Sequence, residues 1–158
     1  MYNYTIANKL RKVIKLMHQY QKNHNIKSEC IVNAKYLYDK IKSSQIGRMP
    51  IKVMAVICVS RAERPVVTSG HLVLSYNNDI NEIIDPSYEV YSFKNKEYYA
   101  TIEDFMNNMP PYIDSIAEYV IKKHIKFLDI AKKINEGSLM IHDYEYYNQQ
   151  ADYVYRLL

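Results

Sequence analysis

Ile6, Leu10, Val13, Ile14 and Met17 recur at the three- and four-residue intervals of one helical face, with Lys9, Arg11, Lys12 and Lys15 largely turned away from it. The pattern predicts a helix from Thr5 to His24, broken by Asn23-His24-Asn25. A second helix is expected to start near Ser28, a good N-cap, and to carry Ile31, Ala34, Leu37, Tyr38 and Ile41 inward. Gly47 and Pro50 close the loop after it. Ile51–Ser60 is apolar on both faces and reads as a central strand. The charged loop Arg61–Pro65 leads into two runs, Val66–Tyr76 and Ile80–Asp85, around the polar turn Asn77-Asn78-Asp79. That is the signature of a β-hairpin, ended by Pro86. With the turn centred on Asn78, Tyr76 faces Ile80, Leu72 faces Ile84 and His71 faces Asp85.

Tyr88–Tyr91 and Glu97–Ala100, around Lys94-Asn95-Lys96, predict a further hairpin. Thr101 with Asp104 resembles a capping box and opens a short helix to Met109. After Pro110-Pro111, the residues Ile113, Ile116, Ala117, Val120, Ile121, His124, Ile125 and Leu128 mark a long amphipathic helix that ends at Gly137. A last, Tyr-rich helix is expected from Ser138. The expected architecture is a single α+β domain. Residues 1–109 form a core of N-terminal helices on an antiparallel sheet, and residues 110–158 form a helical extension packed on it.

The chain has 158 residues, enough for one buried core, and its 48% hydrophobic and 24% charged residues are an ordinary globular balance. No apolar run approaches the length of a membrane span, and no secretory signal opens the sequence. Two cysteines, Cys30 and Cys58, give neither a disulfide framework nor a zinc motif, which points to a reducing, cytoplasmic setting. The net charge of +4 is spread over helices without a concentrated stripe, so nucleic acid is a poor candidate partner. The abundance of Lys, Ile, Asn and Tyr resembles proteins of AT-rich genomes, large DNA viruses included.

Three residues carry candidate chemistry. Cys30 falls in the first turn of the second helix, where backbone N–H groups and the helix dipole favour a thiolate. His71 is positioned as general base and acid, and Asp85, opposite it in the hairpin, as the group that orients the imidazole. The N–H of Cys30 is a natural oxyanion donor. Cys58 lies mid-strand and reads as core, while His18, His124 and His142 sit on helices without partners at metal-ligand spacing.

The order of a helix-borne Cys, a central strand, a His on a strand and an Asp on the next resembles the transglutaminase-like branch of the papain-like superfamily. The resemblance rests on Ser28-Glu29-Cys30, Gly70-His71-Leu72-Val73-Leu74 and Ile83-Ile84-Asp85-Pro86-Ser87, and covers roughly residues 28–87. It departs from the family's usual pattern in having Glu29 before and Ile31 after the Cys. It implies a Cys-His-Asp thiol enzyme acting on an amide, ester or thioester. It also implies a polar oxyanion side chain a few residues before the Cys, where His24 and Asn25 stand. The function expected is that of a cysteine hydrolase (protease or amidase) or a transglutaminase-like enzyme, with neither metal nor organic cofactor. The competing reading is an inactive member of the fold that binds a ligand or protein, for instance a viral factor engaging a host protein through the Tyr-rich tail.

Overall fold

In a computed structural model, the described residues are 4–27, 29–43, 50–60, 67–88, 97–108 and 115–139. The fold is mixed α+β. Helices α1 (Tyr4–Asn23) and α2 (Cys30–Ser43) precede strands β1 (Ile51–Ser60), β2 (Val67–Tyr76), β3 (Ile83–Ile84) and β4 (Glu97–Ala100). Helices α3 (Ile102–Asn108) and α4 (Ser115–Glu136) follow. The sheet is antiparallel, in the order β3-β2-β1-β4.

β1 is central, as its two-sided apolar character demands. Val53, Ala55, Val56, Ile57, Cys58 and Val59 are all buried, and the strand runs against β2 from Ile51 opposite Tyr76 to Val59 opposite Val67, with a bulge after Cys58. On its other edge, β1 pairs with β4 only from Ile57 to Ser60. β4 was expected to form a hairpin with Tyr88–Tyr91. It pairs with β1, and residues 89–96, which make up most of that expected hairpin, lie outside the described set. Where β4 stops, Asn135 of α4 continues the ladder. Its Oδ1 accepts from Val53 N at 2.8 Å and its Nδ2 donates to Val53 O at 3.0 Å, so a side-chain amide takes the place of a strand.

One cluster joins Leu10, Val13 and Met17 of α1, Ala34, Leu37 and Ile41 of α2, Val53, Ala55, Leu72 and Leu74 of the sheet, and Phe127, Ala131 and Ile134 of α4. A second gathers Ile57, Val59, Ala100, Phe105, Ala117 and Val120. α4 therefore supplies both clusters. It lies so close to β2 that a Cβ on Gly70 would meet the Phe127 ring at 3.3 Å. Its buried stripe is Ala117, Val120, His124, Phe127, Ala131 and Ile134. Ile125 and Leu128, expected to face inward, are 60% and 50% exposed, because the stripe follows the 3.6-residue period away from them. The helix ends where Gly137 was expected to end it. Gly137 has φ 74°, its N–H reaches Ile134 O, and Ser138 N–H reaches Lys133 O, which together make a Schellman cap. The Thr101 cap on α3 forms as well, with Asp104 N donating to Thr101 Oγ1 at 3.1 Å.

α2 is buried on more than the predicted stripe. Val32, Asn33 and Tyr36 are inside together with Ala34, Leu37 and Ile41, while Ile31 and Tyr38 are half-buried. Its expected N-cap, Ser28, lies outside the described residues. The carbonyl of Glu29 accepts the first helical bond, from Asn33 N, so Glu29 stands at the cap and Cys30 is the first residue of the helix.

Residues 140–158, which include His142 and the expected last helix, lie outside the described set. Among the described residues no helix is long and apolar enough to cross a membrane.

Candidate active site

The hairpin that carries His71 and Asp85 forms in a different register from the expected one. Asn77 and Asn78 both take positive φ, 54° and 58°, and Asp79 N donates to Tyr76 O, as in a type I′ turn. A second turn, closed by Glu82 N to Asp79 O, follows directly. The Asp79 carboxylate accepts from Asn81 N inside that second turn. The loop thus consumes Ile80 and Asn81, and β3 shrinks from the expected Ile80–Asp85 to Ile83–Ile84. Leu74, rather than Leu72, lies opposite Ile84, and Ser75 lies opposite Ile83.

Extending this register places Asp85 opposite Val73, so His71 and Asp85 are diagonal neighbours rather than a direct pair. A two-residue displacement keeps every side chain on its original face. Diagonal neighbours remain within reach of one another when the side chains are long. The contact is made: His71 Nε2 lies 2.9 Å from Asp85 Oδ2, with the carboxylate wholly buried and the imidazole nearly so.

Asp85 is fixed from several directions. Its Oδ1 accepts from Ser87 N at 2.8 Å. Its backbone carbonyl accepts from His18 Nε2 of α1 at 2.8 Å. One helical turn further along α1, buried Gln21 donates Nε2 to Pro86 O and accepts Tyr88 N through Oε1, both at 2.6 Å. Asn33 of α2 donates to Ser87 Oγ at 3.0 Å. The Asp85-Pro86-Ser87 corner is therefore bolted to both N-terminal helices. Tyr99 of β4 adds a further donor, its hydroxyl 2.5 Å from Asp85 Oδ2.

Cys30 also acts on the His71 ring, through a side-chain hydrogen bond and through charge, both of which raise the imidazole. Burial pushes the imidazole down, but the Asp85 charge, the Asp85 hydrogen bond and the Cys30 contact outweigh it and hold His71 at about 10. A carboxylate only accepts, so Nε2 carries a proton in either state of the ring, and the second proton of the imidazolium sits on Nδ1. Cys30 itself is half-buried and packs at the margin of the first core cluster. Its N–H belongs to the first turn of α2, whose donors have no intrahelical acceptor. Burial raises the carboxyl of the neighbouring Glu29.

Of the five residues singled out from sequence, the structure brings Cys30, His71 and Asp85 together. His24 and Asn25 are exposed at the end of α1. The His24 ring stacks on Tyr20 and its Nδ1 donates to Tyr20 O, while Asn25 turns the chain with φ 50°. Both are committed to terminating α1, and neither is engaged with Cys30. Cys58 is fully buried. His18, read from sequence as structural or superficial, holds the Asp85 corner. Tyr99 and Gln21 were not singled out at all. Tyr99 could have been noticed as the residue of Glu97–Ala100 that alternates to the His71 face, whereas nothing local marks Gln21. Among the described residues no group of three or more His, Cys, Asp or Glu side chains is placed to hold a metal.

No family model, no curated protein and no solved structure matches this chain.

Proposed function

We propose that the chain is a thiol-dependent acyl-transfer enzyme, a cysteine hydrolase or amine-accepting transferase built on a variant of the transglutaminase-like, papain-like arrangement. The observation that carries this reading is the His71 ring bonded to the buried Asp85 carboxylate and interacting with the thiol of a cysteine at a helix start. The antiparallel sheet preceded by a Cys-bearing helix agrees with it.

In the proposed reaction the Cys30 proton already rests on His71, as the raised imidazole favours, and the thiolate attacks the carbonyl carbon of an amide, ester or thioester. Asp85 stabilises the imidazolium and keeps Nε2 as its proton-bearing nitrogen. The Cys30 N–H, at the start of α2, donates to the developing oxyanion. His71 then hands the proton to the leaving amine or alcohol, which departs and leaves a thioester on Cys30. Water or an amine attacks this thioester with His71 as base, and the thiol is released.

The test is peptide-resolved alkylation with iodoacetamide near pH 6. Cys30 is expected to react about tenfold faster than a free thiol and to lose that advantage in His71→Gln, with Cys58 inert in both. Equal sluggishness of Cys30 and Cys58 removes the enzyme reading and leaves a binding module.

A further inference from the structure

Asp85 carries two donors on a single oxygen. His71 Nε2 and the Tyr99 hydroxyl both address Oδ2, at 2.9 and 2.5 Å, while Oδ1 takes Ser87 N. The Tyr99 and His71 rings lie almost parallel, 12° apart with centroids at 6.3 Å, so the two donors reach the oxygen side by side. The sheet accounts for this. Tyr99 lies opposite Cys58, which lies opposite Ser69, and this row is two residues along from the row that joins Val56 to His71. All of these side chains share one face. The Asp85 side chain is sealed from solvent, so its charge is spread only over the donors that the protein supplies.

We propose that Tyr99 is a positioning residue that shares Asp85 Oδ2 with His71 and thereby sets how tightly the imidazole holds its proton. A donor on a carboxylate withdraws negative charge and lowers its basicity. The same withdrawal weakens the attraction that keeps His71 protonated. Tyr99 therefore moderates the ion pair: it lets His71 release its proton to a leaving group more readily than a bare aspartate partner would. The other titratable groups that meet this pair are Cys30 from the start of α2 and His18 from α1. His18 donates to the backbone carbonyl of Asp85 and feels the charge of its carboxylate.

The consequence for acyl transfer rests on the proposed function, but the effect on His71 does not, and the experiment separates the two. The full chain, with 15N-labelled histidine rings, is titrated by NMR as wild type and as Tyr99→Phe, with His71→Gln identifying the resonance. In Tyr99→Phe the His71 midpoint is expected to rise by about half to one pH unit, the size of one lost hydrogen bond. His24 and His124, which do not meet Asp85, should not move. An unchanged or lower His71 midpoint overturns the proposal, whatever Cys30 does. A Cys30 no faster than a free thiol in the wild-type chain overturns the enzyme reading alone. Should Tyr99→Phe fail to fold, 3-fluorotyrosine installed at position 99 preserves the shape and strengthens the donor. The midpoint must then fall, and no change overturns the proposal.

Discussion

The proton that His71 holds ties stability to pH, and the sign of that link is testable. Burial pushes the imidazole down, yet the Asp85 charge and the hydrogen bonds to Asp85 and Cys30 carry it up to about 10 in the folded chain. In the unfolded chain an imidazole titrates near its ordinary value of about 6.5. Between these values the folded state holds a proton that the unfolded state has released, so stability falls as pH rises. The contribution is fully present below about pH 6.5 and gone above about pH 10. One proton corresponds to at most about 1.4 kcal/mol per pH unit. Because the pair is buried and mutually dependent, a loss on the order of 2 kcal/mol between pH 7 and 9 is expected. The measurement is urea unfolding of Cys30→Ser and of Cys30→Ser/His71→Gln at pH 6, 7, 8 and 9. Removing the thiol leaves only the His–Asp pair to titrate, and comparing two variants cancels the tyrosines and lysines. The stability advantage of the His71 protein should be largest at pH 6 and shrink steadily. Parallel curves refute the reasoning. The same series in the Cys30 protein carries further information. A thiolate–imidazolium pair holds as many protons as an unfolded thiol with a neutral imidazole, so ionisation of Cys30 flattens the slope.

Gln21→Leu keeps the volume of a buried side chain but strips Pro86 O and Tyr88 N of their partner. A cost of about 2–3 kcal/mol is expected in chemical denaturation, together with slower Cys30 alkylation as the Asp85 corner loosens. Asn135→Ala removes both hydrogen bonds to the uncovered edge of β1 at Val53. It should cost about 2 kcal/mol while leaving the Cys30 alkylation rate unchanged, since Val53 and its partner Leu74 lie on the sheet face opposite His71. A change in that rate would show that the β1 edge and the site are coupled.

Helices and strands were legible in the sequence wherever one segment's own pattern decides them. β1 has the predicted bounds, α1 is displaced by a single residue at each end, and the Gly137 and Thr101 caps form as their residue types require. Pairing was less legible, because it depends on what else competes for an edge. β4 takes the open side of β1, and the polar loop after Tyr76 took Ile80 and Asn81 into a double turn. Nothing in the alternation of Ile80, Ile83 and Ile84 distinguishes the two registers. The positive φ values that Asn77 and Asn78 adopt readily are what select the type I′ turn and the register that follows. For the site, the Cys30, His71 and Asp85 set was legible as residue types in order. Tyr99 and Gln21 were not, since they act from 14 and 65 residues away through contacts that no local period encodes.

The survival of the His71–Asp85 contact through a wrong register has a physical reason. Strand faces alternate with period two, so a displacement of two residues changes the pair from direct to diagonal without moving either side chain to the other face. A one-residue displacement would have separated them. A diagonal pair must bridge a longer gap, and a carboxylate on a two-residue strand has little ladder to hold it in place. The structure supplies that restraint from outside the β2–β3 ladder. α1 grips the chain at Asp85 O, Pro86 O and Tyr88 N, α2 grips it at Ser87, and β4 reaches over with Tyr99. The shortness of β3 and the density of contacts around Asp85 are thus two sides of one arrangement. Where the ladder cannot orient the acid, side chains from three other elements do, and they place it beside the one imidazole in the sheet.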